Sequence, residues 1–182
     1  LKKESARANR EPAPDFARDR LPNSALTNSS GALGLSYVSK TFHLGVSHSG
    51  LDSDYGVPGH AHEAAPAAPD AAEGVRLDLL QRRTDVQGEW HGSAGFVRDV
   101  RFKFGQARYR YAEIEPEGDV GTVFTHRGHE ARVELLHGDG KPWTGALGLQ
   151  NSRSDFAAVG DEAFLPPSRT DTTALFAFEE LA

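Results

Sequence analysis

The chain has 182 residues, enough for one domain with its own core, and its 20 Lys+Arg stand against 26 Asp+Glu for a net charge of −6. That balance argues against a nucleic-acid partner, which asks for a basic stripe. With no cysteine, neither a disulfide framework nor a thiolate zinc site can form, so any transition-metal site must draw on His, Asp and Glu.

The opening stretch "LKKESARANREPAPDFARDRLPNSALTNSS" is polar and proline-bearing, and residues 1–28 read as an exposed loop segment ahead of a β-rich region over 29–182. The chain begins with Leu1, contains no methionine and shows no basic-then-apolar leader, which reads as an internal piece of a longer protein. No run approaches the roughly 18 apolar residues of a spanning helix, a test that barrel strands of about 9–11 alternating residues escape.

From there onward the pattern has period two. Leu33, Leu35 and Tyr37 alternate with small residues, "VSKT" is a tight turn, and Phe42, Leu44 and Val46 continue the alternation, giving an antiparallel hairpin. Val75, Leu77 and Leu79 open the next run, which resumes as Val86, Gly88 and Trp90 on the other parity; a β-bulge near "LQRRT" is expected there. Val100, Phe102 and Phe104 give way to Tyr109 and Tyr111 in the same manner, with Gly105 as the expected bulge. Ala131, Val133 and Leu135, then Trp143, Leu147 and Leu149, then Phe176 and Phe178 complete seven strands.

Short links alternate with long loops, expected at about 52–73, 115–121 and 157–171, which is the habit of an up-and-down membrane barrel. "GALGLS" at Gly31 returns as "GALGLQ" at Gly145, an echo that suits two strands under similar demands. The parity opposite the apolar one carries Arg76 and Asp78, Arg101 and Lys103, and Glu130, Arg132 and Glu134, more charge than a packed soluble barrel buries. The pattern fits a membrane barrel with a wet lumen, and equally an antiparallel sheet with one solvated face. Trp90, Trp143, Tyr109, Tyr111, Phe176 and Phe178 suit either an aromatic girdle or a core.

Candidate chemistry concentrates in "DYGVPGHAHEAAPAAPD". His60, His62 and Glu63 offer imidazole and carboxylate ligands suited to zinc, and His-x-His on extended chain points both rings to one side. The competing reading is a flexible loop. His126 and His129, three apart, fall on opposite faces of a strand unless the chain bends at Gly128. His43, His48, His91 and His137 stand isolated in sequence. "GVSHSG" lacks the G-x-S-x-G elbow, "GALGLS" lacks the helix and lysine of a phosphate loop, and Glu179 and Glu180 point to opposite sides of a strand. No catalytic constellation emerges, so an enzyme is not expected.

The segments "GLDSDYGVPGHAHE", "YAEIEPEGDVGTVFTHRGHEARVELLH" and "WTGALGLQNSRSDFAAVGDEAFLPP" resemble the early barrel strands and loops of TonB-dependent outer-membrane receptors, in particular the zinc-receptor subgroup. The resemblance spans about residues 20–181. It implies an all-β, antiparallel up-and-down meander of about seven strands within a plugged barrel of about 22. It also implies a place in the Gram-negative outer membrane in contact with its lipid, a TonB complex acting through a plug absent from this chain, and import of a scarce nutrient. Zinc or another divalent metal is the leading cargo, as transported ligand and not as cofactor. In that subgroup the loop after "YGVP" is histidine-rich, matching His60, His62 and Glu63, and Glu113 matches a lumenal carboxylate near the ion. Tyr111 stands where the subgroup tends to hold histidine, a departure from its pattern. Asp52 and Asp54 are further possible outer ligands. Uptake of an iron chelate or other small complex, and a soluble antiparallel binding module, are the alternatives.

Overall fold

A computed structural model of the chain describes residues 21, 23–58, 74–92, 95–138, 142–161 and 163–181. They form a single seven-stranded antiparallel sheet: β1 (Leu26–Val38), β2 (Phe42–Gly56), β3 (Arg76–His91), β4 (Val97–Ile114), β5 (Val120–His137), β6 (Trp143–Gly160) and β7 (Ser168–Leu181). Each strand pairs with its sequence neighbour, in the order β1-β2-β3-β4-β5-β6-β7. The sheet is an open meander, with β1 and β7 as its edges.

The turn at "VSKT" forms as expected: the Ser39 backbone N–H donates to the Phe42 carbonyl at 2.8 Å, and Ser39 Oγ accepts from the Phe42 N–H at 3.0 Å. The opposite end of the sheet carries the connections 57–75, 115–119 and 161–167. All three are shorter than the sequence suggested, because β2 runs on to Gly56, β5 begins at Val120, β6 runs on to Gly160 and β7 begins at Ser168; regular pairing persists through "AAV" and "SRTD". At the other end of the chain, β1 takes in Leu26–Asn28 from the segment read as loop.

The bulges expected near "LQRRT" and at Gly105 do not occur. β3 pairs with β4 without a break from Arg76↔Ile114 to His91↔Asp99, and the register shifts of β4 against β5 fall at its two ends, between Val97 and Asp99 and between Ala112 and Ile114. The apolar parity changes because the apolar residues themselves change face along the length of the sheet. Near the short turns one face carries Leu35, Val46, Val86, Phe104 and Ala131 in register, followed by Tyr37, Leu44, Gly88, Phe102, Val133, Leu149 and Leu175. Near the long connections the opposite face carries Tyr55, Leu77, Leu79, Tyr111, Phe124 and Ala158.

We call the first face the belt face and the other the polar face. An unbroken period of two puts Arg76 and Asp78 on the belt face with Trp90, where the expected bulge would have sent them to the other side. The same rule puts Tyr109, Tyr111, Phe176 and Phe178 on the polar face. Of the proposed girdle residues, only Trp90 and Trp143 remain with the belt.

The belt is uncovered: Leu33 and Leu35 are 84% and 80% exposed, and Leu175 is 82% exposed. It slants across the hydrogen-bonded rows, beginning at Leu33 in β1 and reaching Trp143 and Leu181 in β6 and β7. Small residues close the gaps between strands. Phe102 lies over Gly88 and Phe176 over Gly148, leaving no room for a Cβ at either glycine.

Candidate functional site

The polar face has several separate charge pairs. Arg101 Nε donates to Glu89 Oε1 at 2.8 Å, Arg83 holds Asp85 through both Nε (2.7 Å) and Nη2 (2.6 Å), and Arg132 binds Glu134 while its Nη1 donates to Gln150 Oε1 at 3.1 Å. Cross-strand register creates this pattern, since Glu89↔Arg101↔Glu134 is one row of the sheet. Arg132 also lies 4.4 Å from the centre of the Phe176 ring. Such partly exposed pairs contribute little net stability.

Toward the middle of the sheet Gly105, Ala107 and Gly128 leave an open hollow of about 410 Å³. Arg83, Asp85, Lys103, His126, Glu130, Ser152 and Ser154 surround it, a mixed-charge, hydroxyl-rich surface suited to water and small hydrated solutes. His126 Nε2 lies 2.5 Å from Ser154 Oγ here, whereas His129 is on the belt face and stacks on Phe104 at 6.3 Å. The two rings therefore diverge, as their spacing predicts for a strand that does not bend.

Glu113 belongs to the polar face at the long-connection end, opposite Leu77, and is only 7% exposed. Tyr111 stands two residues away on the same face and packs against Phe124 at 5.4 Å between ring centres. Leu77 in turn pairs with Tyr55, so Glu113 sits two strands from the β2 root of the connection between β2 and β3. His60, His62 and Glu63 lie in that connection, outside the described residues. Its roots are fastened: the Val57 N–H donates to the Val75 carbonyl at 3.0 Å, and Asn23 Nδ2 donates to the carbonyls of Val57 (3.1 Å) and Val75 (2.8 Å).

Asp52 and Asp54 do not converge on Glu113. Both are on the belt face, where Arg82 Nη1 binds Asp52 Oδ1 at 2.7 Å and Arg76 binds Asp54.

Two histidines that looked isolated in sequence have carboxylate partners. His91 Nδ1 lies 2.8 Å from Asp99 Oδ1 and 4.0 Å from Glu89 Oε1. These three residues form the one grouping among the described residues with metal-ligand proximity. Its carboxylates are already engaged, Asp99 by Arg98 at 2.8 Å and Glu89 by Arg101 at 2.8 Å, so a cation would have to displace two guanidinium groups. His137 Nε2 lies 3.1 Å from Glu179 Oε2, with its ring stacked on Phe96 at 4.6 Å and edge-on to Trp143 at 5.3 Å. Hairpin register produces both contacts; the glycines at 92 and 95, which close the β3–β4 turn, were the available signal for the first.

Ser47 and His48 of "GVSHSG" project to opposite faces, and His48 Nδ1 bonds Thr84 Oγ1 at 2.9 Å. That triplet offers no nucleophile–base pair. No known protein-family model matches the chain.

Proposed function

We propose that this chain is a wall segment of a TonB-dependent outer-membrane receptor that imports a scarce nutrient, with zinc or another divalent metal ion as its cargo. The observation that carries the reading is the inversion of the sheet. Near the short turns, an uncovered apolar belt lies opposite a face of paired charges, which suits lipid on one side and a wet lumen on the other. Beyond the belt the apolar residues move to the opposite face, as they would where a strand leaves the bilayer.

The slant of the belt across the rows suits strands tilted to the membrane. Trp90, Trp143 and Phe96 at its short-turn edge suit an interfacial aromatic girdle. In a bilayer the unpaired backbone groups of β1 and β7 need neighbours, so further strands complete the barrel.

In this reading His60, His62 and Glu63 capture the ion outside and Glu113 receives it at the lumen wall. Release follows rearrangement of a plug driven by the TonB complex. Support for these roles is the resemblance of the loop, together with the burial of Glu113 on the face that carries the charge pairs.

The test is uptake of radioactive zinc by cells carrying the intact receptor, combined with outer-membrane fractionation. Fractionation with the outer membrane and TonB-dependent zinc uptake, lost in a His60→Ala/His62→Ala/Glu113→Gln variant, is the expected result. Receptor-dependent uptake of chelated iron that stays intact in that variant, with no receptor-dependent zinc uptake in the wild type, would transfer the cargo to an anionic complex. Folding in water without detergent would replace the membrane reading with a soluble binding module.

A further inference from the structure

We propose that Arg108 and Arg127 hold the phosphate of an anionic lipid headgroup against the outside of the wall, an inference that rests on the membrane reading above. Among the described residues the belt face carries seven arginines on its long-connection side, and five have carboxylates. Arg82 takes Asp52 at 2.7 Å, Arg76 takes Asp54, Arg110 takes Asp78 at 3.5 Å, Arg153 takes Asp171 at 2.5 Å, and Arg169 takes Asp155 at 2.5 Å.

Arg108 and Arg127 remain. They are direct cross-strand partners between β4 and β5, both are exposed, and neither makes an ion pair among the described residues. Asp155, the residue opposite Arg127 on β6, is bonded to Arg169 Nε instead. Arg82 flanks Arg108 on β3, so three arginines stand abreast in one row. Like charges directly opposite one another destabilise a sheet, and an anion seated between them reverses the sign of that interaction.

The position selects a lipid over a free anion. Arg108 follows Phe104 by four residues on the same face, so at about 3.3 Å per residue and a barrel-like tilt the guanidinium row stands roughly 10 Å beyond the apolar belt. Long arginine stems bend back toward the interface from such a height. A molecule with acyl chains on the Val133–Leu149 belt and a phosphate above them meets both surfaces together, whereas inorganic phosphate meets only the guanidinium groups. The occupant is therefore a phosphate-bearing lipid of the leaflet on the long-connection side.

The experiment uses the intact receptor purified in neutral detergent, titrated with mixed micelles containing phosphatidic acid, with phosphatidylcholine micelles and inorganic phosphate as separate arms. The wild type is expected to prefer phosphatidic acid, and an Arg108→Gln/Arg127→Gln variant to lose about tenfold of that affinity, the scale of a bidentate charge-assisted contact. Arg76→Gln, which removes an arginine already bonded to Asp54 on β2, should change it less than about twofold. Retention of the heat-resistant folded band on gels establishes that the double variant is folded, and Arg108→Lys/Arg127→Lys, which keeps the charge, should recover part of the loss. Equal affinity of wild type and double variant overturns the proposal, as does inorganic phosphate competing as well as the lipid. A wild type that enters neither kind of micelle refutes the membrane reading; one that enters both without preference refutes only the phosphate site.

Discussion

Asn23 Nδ2 donates to the Val75 carbonyl at 2.8 Å across a separation of 52 residues, tying the segment before β1 to the root of the connection that contains His60 and His62. The same amide group reaches the Val57 carbonyl, so one side chain bridges both roots. Asn23 has φ 51°, in the left-handed region that asparagine tolerates better than most residues. Gly56 and Gly74 leave the space it occupies.

Replacing Asn23 should therefore expose two separable costs. Asn23→Gly removes the hydrogen bonds and keeps the backbone relaxed, with an expected loss of about 1–2 kcal/mol. Asn23→Ala adds left-handed strain of about 1 kcal/mol more. Unfolding of both variants in denaturant, measured beside wild type, gives the difference; an alanine variant no worse than the glycine one would show that the backbone conformation does not matter there.

The belt makes the sharpest stability contrast. Val133 lies in the middle of the belt between Phe102 and Leu149 and is 47% exposed, while Ser152 faces the hollow on the other side. In a bilayer Val133→Arg should cost about 2–4 kcal/mol, whereas on a water-facing sheet it should cost under about 0.5 kcal/mol. Ser152→Arg, beside Asp85 and Glu130, should be nearly neutral in either setting. Denaturant titration of the protein refolded into vesicles distinguishes the two outcomes.

The seven strands were legible because alternation reports directly which side of a strand is dry. That same property misled the reading between Leu79 and Val86 and between Phe104 and Tyr109. A change of parity reads as a kink in the chain, but the register of β3 with β4 is unbroken and the apolar residues themselves change face. Arg76 and Asp78 went to the wrong face for this reason. The His91–Asp99 and His137–Glu179 contacts depend on register across hairpins, which alternation alone does not determine. Glu113 came only through family resemblance, because a carboxylate in "YAEIE" looks like any other until its burial is known.

Zinc titration should separate the loop from the charged cluster at the other end of the sheet. Arg98 and Arg101 neutralise Asp99 and Glu89, so an ion at His91 would gain its ligands only by breaking two pairs at 2.8 Å. If the proposed capture loop binds zinc, calorimetry of the intact protein should show unchanged zinc affinity in His91→Ala and at least about a tenfold loss in His60→Ala/His62→Ala, the scale expected when metal ligands are removed. The reverse result would move the metal site to the short-turn end.

The final prediction concerns His137, which is 2% exposed and packed against Phe96 and Trp143. Its Nε2 reaches Glu179, but its Nδ1 has no hydrogen-bond partner among the described residues. An unsatisfied buried nitrogen costs free energy, so the ring's packing must outweigh its polarity for histidine to be tolerated. His137→Phe keeps the stack and removes the orphaned nitrogen, while giving up the partly exposed Glu179 contact; its stability should stay within about 1 kcal/mol of wild type. His137→Ala removes the stack and should cost about 2–4 kcal/mol through the cavity left under Phe96. If the phenylalanine variant fell as far as the alanine one, the bond to Glu179, and not the aromatic packing, would be what holds this corner of the sheet together.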